Sequence, residues 1–208
     1  MKVDKKLLST RDPEFRKFLI SLGYKQAHES PIYDVKECPP GSPEVVGETT
    51  NHYPLKWNVD PRGALIELWR NSWDYGWGCT TPISQAYISA TSPGVVKGWH
   101  CHLIQTDRFF CVRGKVMLVT WDARKAFFED DDLSNDLLPP FIFDVRILDA
   151  ERNPELVTIE PGVVHGWKAL GNEESWVLNL VSHEYDGTDE WRIDPHAHAF
   201  DWDQRFDG

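Results

Sequence analysis

Four residues of this 208-residue chain have the types and spacing to do chemistry together. In residues 93–116 (PGVVKGWHCHLIQTDRFFCVRGKV), Gly94 is followed by His100, His102, Asp107 and Gly114. Alternate residues of a strand face the same side, so His100 and His102 are expected to point together into a cavity, with Cys101 turned away. Gly114 permits a tight turn into the next strand, KVMLVTWD. Far along the chain Pro161 and Gly162 make a second turn, and His165 follows on another strand. If all three imidazoles converge, two chemistries open. A neutral imidazole is a proton acceptor suited to neutral pH. His100, His102, Asp107 and His165 also form a three-histidine, one-carboxylate ligand set for one divalent metal such as Fe, Mn, Ni or Zn. Such a site can run oxygenase, isomerase or lyase reactions. Lys97, Arg108 and Arg113 lie near the histidines in sequence and could give an anionic ligand a basic pocket.

The elements that must position these residues read as strands. Short runs recur at 64–69, 84–90, 107–113, 115–122, 141–148, 156–159 and 175–181, most of them punctuated by Gly, Pro, Asn or Asp. That spacing predicts an all-β jelly roll or related barrel. Residues 1–25 read as a helical lead-in. Asp12 can cap, Pro13 suits the first turn and Glu14 the positive end of the dipole. Phe15, Phe18, Leu19 and Leu22 share one face, and Gly23 stops the helix. Residues 26–62 are rich in Pro, Gly, Asn and charge. They read as an irregular arm with one short strand, long enough to wrap the barrel or a neighbouring subunit. The division expected is therefore 1–62, helix and extended arm, and 63–208, barrel with a C-terminal tail. The acidic stretch 127–140 lacks EF-hand spacing and reads as a solvated loop. The tail has little periodicity and is expected to lie across the outside of the barrel.

The net charge is −11, spread along the chain. Such a surface repels nucleic acid and anionic membranes, so neither is expected as a partner. No apolar run is long enough to span a bilayer. Cys38, Cys79, Cys101 and Cys111 form no CxxC pair and follow no secretory signal, which points to free thiols in a reducing cytoplasm. The ten tryptophans suit core and loop packing, with stacking on a sugar or nucleobase as the sharper alternative. His196 and His198 form a second HxH, but no carboxylate or glycine turn follows, and they read as surface or tail residues. His52 and His183 read as structural or exposed. No nucleophile elbow is present.

The glycine–HxH–Asp107–Gly114 spacing resembles the first cupin motif, with Asp107 where the motif has glutamate, and PGVVH resembles the second. The chain is thus identified as a cupin, a double-stranded β-helix with an N-terminal helical arm. Within that superfamily PGVVKGWHCH, FFCVRGKVMLVTWDAR and IEPGVVHGWKAL resemble segments of dTDP-4-dehydrorhamnose 3,5-epimerases, and LNLVSHEYDGTDEWRIDPH resembles a tail of their relatives. The resemblance spans about residues 64–202. It implies a metal-free epimerase or isomerase of a nucleotide-linked 4-keto-6-deoxy sugar, with no cofactor, working as a homodimer. It implies that His100 is the general base, that His165 assists at the enolate, and that Lys97 replaces an arginine on the nucleotide diphosphate. The family lysine falls near Asp107 or Arg108. The family tyrosine falls near residues 178–184, with Tyr185 as a substitute. The aspartate that orients the family's base comes from a later segment with no counterpart up to Gly208, and Asp107 is the residue placed to take over. Two other readings stand beside this one, a metal-dependent cupin enzyme using the four ligands and a non-catalytic sugar-binding cupin.

Overall fold

The computed structural model describes residues 10–29, 34–35, 44–45, 50–70, 82–129, 142–198 and 200–203. Its strands in chain order are β1 (Lys25–Gln26), β2 (Asp34–Val35), β3 (Glu44–Val45), β4 (Asn51–Pro54), β5 (Trp57–Asp60), β6 (Gly63–Ile66), β7 (Gln85–Thr91), β8 (Val96–His102), β9 (Asp107–Arg113), β10 (Lys115–Asp122), β11 (Ile142–Asp149), β12 (Glu155–Ile159), β13 (Val163–Leu170), β14 (Ser175–Val181) and β15 (Glu190–Arg192). Helix α1 (Pro13–Ser21) precedes them and α2 (Ala123–Glu129) joins β10 towards β11.

Two sheets face each other. The larger runs β1-β15-β8-β13-β10-β11-β3, with β2 also on β8, and the smaller runs β4-β12-β9-β14-β7. Strand alternation sorts side chains into two cores. Along β10, Val116 and Leu118 point between the sheets, where they meet Phe109, Val157, Ile159, Val163, Trp167 and Val177. Met117, Val119 and Trp121 point the other way, into a second core on the outer face of the larger sheet. Each fully buried side chain of this size contributes about 1.5–3 kcal/mol.

The outer core is roofed by the two chain ends. Asp12 caps α1 by accepting the Glu14 N–H (2.9 Å), and Phe15 and Leu19 are buried against the sheet. The tail adds Phe200 and Trp202 to the same core. It crosses β8 at Gly98, where a Cβ would collide with the Pro195 ring. The tail therefore lies across the outside of the barrel, and it contributes β15 as a strand.

Three sequence expectations change here. His198 is not a surface residue: it is 3% exposed, its Nε2 lies 2.6 Å from the Tyr24 hydroxyl, and the rings of Trp99 and Trp121 stand 5.5 Å away. The tail closes an aromatic box, which residue spacing alone could not reveal. Residues 123–129 form α2, so the start of the acidic stretch is helical, and residues 130–141 lie outside the described residues. Residues 26–62 contribute more than one short strand: β1 pairs β15, β2 pairs β8 and β4 pairs β12, while β5 pairs with β6 in a separate hairpin. Cys101 and Cys111 are free and buried; Cys38 and Cys79 lie outside the described residues.

Burial pushes the pKa of His198 down to about 4, and the Tyr24 hydroxyl, itself kept protonated by burial, donates to the neutral ring. The unfolded chain takes up a proton near the ordinary histidine pKa of about 6.5, whereas the native ring refuses it until about 4. Stability is therefore lost as pH falls through that window, by about 2 kcal/mol between pH 7 and pH 5. Urea unfolding at the two pH values should show a smaller loss for His198→Gln than for the unsubstituted protein; equal losses would remove this assignment.

Candidate active site

The site forms where β8, β13 and β15 of the larger sheet face β7 and β9 of the smaller. Between the pairs His165↔His100 and Trp167↔Lys97 the register of β8 and β13 shifts. Two residues of β13 therefore oppose three of β8, a bulge that re-aims side chains locally. Beyond it alternation is regular. Trp99, Cys101 and Leu103 enter the outer core, and His100 and His102 line the cavity. The expectation that Cys101 faces away agrees with this placement. On β13 His165 and Trp167 line the cavity, separated by Gly166, whose missing side chain admits Trp202 from the opposite face.

Asp107, the first residue of β9, is the hub. Its Oδ2 lies 3.2 Å from His165 Nε2 and 3.6 Å from His102 Nε2. Its Oδ1 accepts from Gln105 Nε2 (2.7 Å) and Asn179 Nδ2 (3.1 Å). Burial pushes its pKa up, but His102, His165 and Asn179 together hold it well below the usual carboxylate range. The imidazoles are oriented from behind. His165 Nδ1 donates to the Val163 carbonyl (3.1 Å). His102 Nδ1 faces Asp189 Oδ2 at 3.7 Å, and that carboxylate is fixed by the N–H groups of Leu103, Ile104 and Gln105. Ligand atoms of His102, Asp107 and His165 lie within 4.8 Å of one another. His100 stands apart from this trio, so the geometry gathers three of the four ligands expected from the sequence.

His100 meets His165 edge to face, with ring centroids 6.0 Å apart. Its side chain is 22% exposed, and Glu190 Oε1 lies 4.0 Å from its Nδ1. Burial, and then the neighbouring His165, Arg192 and His102, push its pKa well below the ordinary histidine value, so the ring is a neutral proton acceptor. The cavity has a volume of about 500 Å³. Phe109 and Trp167 give it an apolar wall, their rings 5.3 Å apart and nearly perpendicular. Lys97 also lines it, with Nζ donating to Ser89 Oγ (2.7 Å) and the Ala90 carbonyl (2.9 Å). Tyr185 reaches the rim and is 65% exposed.

Two sequence candidates lie elsewhere, and strand geometry explains both. With Asp107 facing the cavity, Arg108 must face the opposite side of β9. There it stacks over Trp69 at 4.5 Å, on the side of the sheet where Phe110 meets Tyr53 and Leu55. Arg113 ends the same strand about 20 Å from Asp107 at about 3.3 Å per residue, paired with Glu173 (3.5 Å) and set over Trp176.

Sequence reasoning missed Glu190 and Arg192, cavity-lining neighbours on β15 joined by a 2.8 Å ion pair. Their i, i+2 spacing was the available signal. It also missed Gln105, Asn179 and Tyr87. Asn179 and Tyr87 are direct cross-strand partners, and Asn179 Nδ2 lies 2.9 Å from the Tyr87 hydroxyl. Long-range pairing of β14 with β7 creates that contact, and no local pattern announces it.

The chain is similar to known proteins over most of its length. The chain is 32% identical over 159 residues to the "Probable low-salt glycan biosynthesis epimerase Agl13" of Haloferax volcanii, covering 74% of this chain and 93% of that one. It is 31% identical over 151 residues to the spore coat polysaccharide biosynthesis protein SpsL of Bacillus subtilis, covering 71% and 90%. The solved structure of the Mycobacterium tuberculosis rmlC epimerase superposes with a TM-score of 0.59 at 27% identity, over 77% of each chain. The family model described as dTDP-4-dehydrorhamnose 3,5-epimerase matches residues 52–206, and the chain belongs to that family of cupin-fold sugar epimerases.

Proposed function

We propose that the protein epimerises a nucleotide-linked 4-keto-6-deoxy sugar, with His100 removing a proton from carbon next to the keto group. The observation that carries this reading is a neutral, partly exposed imidazole on the wall of the cavity in a chain of this family. The C–H bond breaks, its electron pair moves to the keto oxygen as an enolate, and reprotonation from the opposite face inverts the centre. The step is redox-neutral and requires no organic cofactor, because the keto group itself acidifies the proton. His165, fixed by Asp107, assists at the enolate oxygen. Reprotonation from the other face falls to Tyr87. It stands on the opposing sheet, and burial, followed by the charge of Asp107, raises its pKa and keeps it a donor. Lys97 takes the diphosphate and Tyr185 closes the rim. The protein acts as a homodimer in the cytoplasm, a reading supported by the buried reduced thiols and by the exposed apolar side chains Trp57, Val59 and Leu65 of the β5–β6 hairpin. No helix among the described residues is long and apolar enough to cross a membrane.

Proton NMR of dTDP-4-keto-6-deoxyglucose in D₂O should show enzyme-dependent deuterium uptake at C3 or C5. His100→Ala should slow that uptake by about 10²–10⁴-fold, the range for a lost general base. Tyr87→Phe should retain washout of the proton while forming less inverted product. Binding of a nucleotide sugar without any uptake would leave the non-catalytic reading instead.

Titration calorimetry with thymidine diphosphate separates the basic residues. Lys97→Ala should weaken binding about tenfold or more, since a charge-assisted contact is worth about 1.5–3 kcal/mol. Arg113→Ala should leave affinity unchanged, and a loss of similar size in both variants would contradict the assignment of Lys97.

A further inference from the structure

We infer that Glu190 is the positioning residue of the base: its carboxylate holds the proton on His100 Nδ1 and steadies the ring once it becomes cationic. The inference rests on the reading of His100 as the base. Strand register brings the two residues together. β15 lies beside β8 with Glu190 opposite His102, Trp191 opposite Cys101 and Arg192 opposite His100. Alternation turns Trp191 and Cys101 into the outer core and leaves Glu190 and Arg192 on the cavity wall with the two histidines. The strand is anchored at both ends. Before it, Asp189 accepts from the N–H groups of Leu103, Ile104 and Gln105 (3.0, 3.3 and 3.0 Å). After it, the Ile193 N–H donates to the Trp99 carbonyl (3.2 Å). A carboxylate mounted between two such anchors has a fixed place in the wall.

Among the described residues, Glu190 is the carboxylate within 4.0 Å of a His100 ring nitrogen, its Oε1 at 4.0 Å from Nδ1. Asp107 turns its oxygens to His102, His165, Gln105 and Asn179 instead. A carboxylate only accepts, so the neutral ring beside it carries its proton on Nδ1 and its lone pair on Nε2. The same Oε1 is held by Arg192 through Nε (2.9 Å) and Nη2 (2.8 Å). At rest this guanidinium offsets the charge of Glu190, and burial and His165 help to keep the ring neutral. When the substrate C–H bond breaks, its electron pair stays with the substrate as the enolate. The proton lands on Nε2, and the ring becomes an imidazolium. Its Nδ1–H is then a charged donor facing a carboxylate that is only 9% exposed, and the 4.0 Å separation closes towards hydrogen-bond length. Contacts of catalytic groups commonly tighten in this way. An interaction stronger in the transition state than at rest lowers the barrier, so Glu190 acts on kcat rather than on substrate affinity.

The test is the kinetics of deuterium uptake into dTDP-4-keto-6-deoxyglucose by the full-length protein. Glu190→Gln should lower kcat by about 10–100-fold with KM little changed, the size of one charge-assisted hydrogen bond. Glu190 also stands among the carboxylates around His102, and a cycle with His100 separates the two routes. In the His100→Ala background, Glu190→Gln should cost nothing further; an equal loss in both backgrounds overturns the positioning role. Long-range proton–nitrogen NMR of the free, ¹⁵N-histidine-labelled protein at neutral pH should show His100 as the neutral Nδ1–H tautomer. The Nε2–H tautomer overturns the inference, and this measurement needs neither turnover nor a folded Glu190 variant. The two readings fail differently. If uptake persists at full rate in His100→Ala, the base assignment falls and the role of Glu190 falls with it. If uptake requires His100 yet proceeds at full rate in folded Glu190→Gln, the role of Glu190 alone is overturned and the epimerase reading stands.

Discussion

A carboxylate buried between two sheets is the constraint that the rest of the site obeys. An isolated charge in that position would cost many kcal/mol, so Asp107 must be surrounded by donors or cations, and its partners come from widely separated parts of the chain. His102 belongs to β8, His165 to β13 and Asn179 to β14, while Gln105 lies in the loop before β9. The two histidine strands are in one sheet and β9 and β14 in the other. Satisfying Asp107 therefore sets how the sheets meet at this end of the barrel. The effect extends one residue further: Asn179, held by Asp107 and by the Arg108 N–H (2.9 Å), also holds the Tyr87 hydroxyl.

The outer core supports the same geometry from behind. Pro195 sits against Gly98 on β8, and Trp202 reaches Gly166 on β13, the strand that carries His165. The Trp99 indole donates to the Pro195 carbonyl (3.1 Å). The β8 bulge that separates Lys97 from His100 is thus clamped by the tail. A larger residue at either glycine would press directly on the strands that aim the histidines. The C-terminal segment is consequently part of what positions the site, beyond the side chains that β15, Tyr185 and Ile193 give to the cavity.

What could be read from the sequence was whatever period-two alternation encodes. Strands β9, β10 and β14 begin and end where their hydrophobic runs do, and the opposite facing of Cys101 and its histidine neighbours follows from the same rule. That rule also excludes Arg108 once Asp107 is placed inside, so its sequence proximity to the histidines was misleading. The α1 cap was visible because Asp12, Pro13 and Glu14 are local signals. Contacts closed by distant segments were not visible: the His198–Tyr24 pair, the Asn179–Tyr87 pair and the Glu190–Arg192 ion pair depend on strand order. The His198 reading failed because a polar tail with no periodicity resembles a solvated one until Trp99 and Trp121 are seen to enclose it.

His100 and His102 are two residues apart on one strand, yet their surroundings push them in opposite directions. For His100, burial and the neighbouring His165 and Arg192 all disfavour the cation. For His102, burial disfavours it as well, but Asp107, Asp189 and Glu190 together outweigh that and favour positive charge. Environments that drive two titratable groups apart are how a site assigns base and cation to chemically identical side chains. The two-residue spacing brings both rings to one cavity, and the carboxylates of β9 and of residues 189–190 then determine which ring sits among negative charge. At His100, burial, the two imidazoles and Arg192 outweigh the nearby carboxylates, and the ring keeps the lone pair that proton abstraction requires. An exchange of these neighbours would exchange the roles, because nothing in the two side chains themselves distinguishes them.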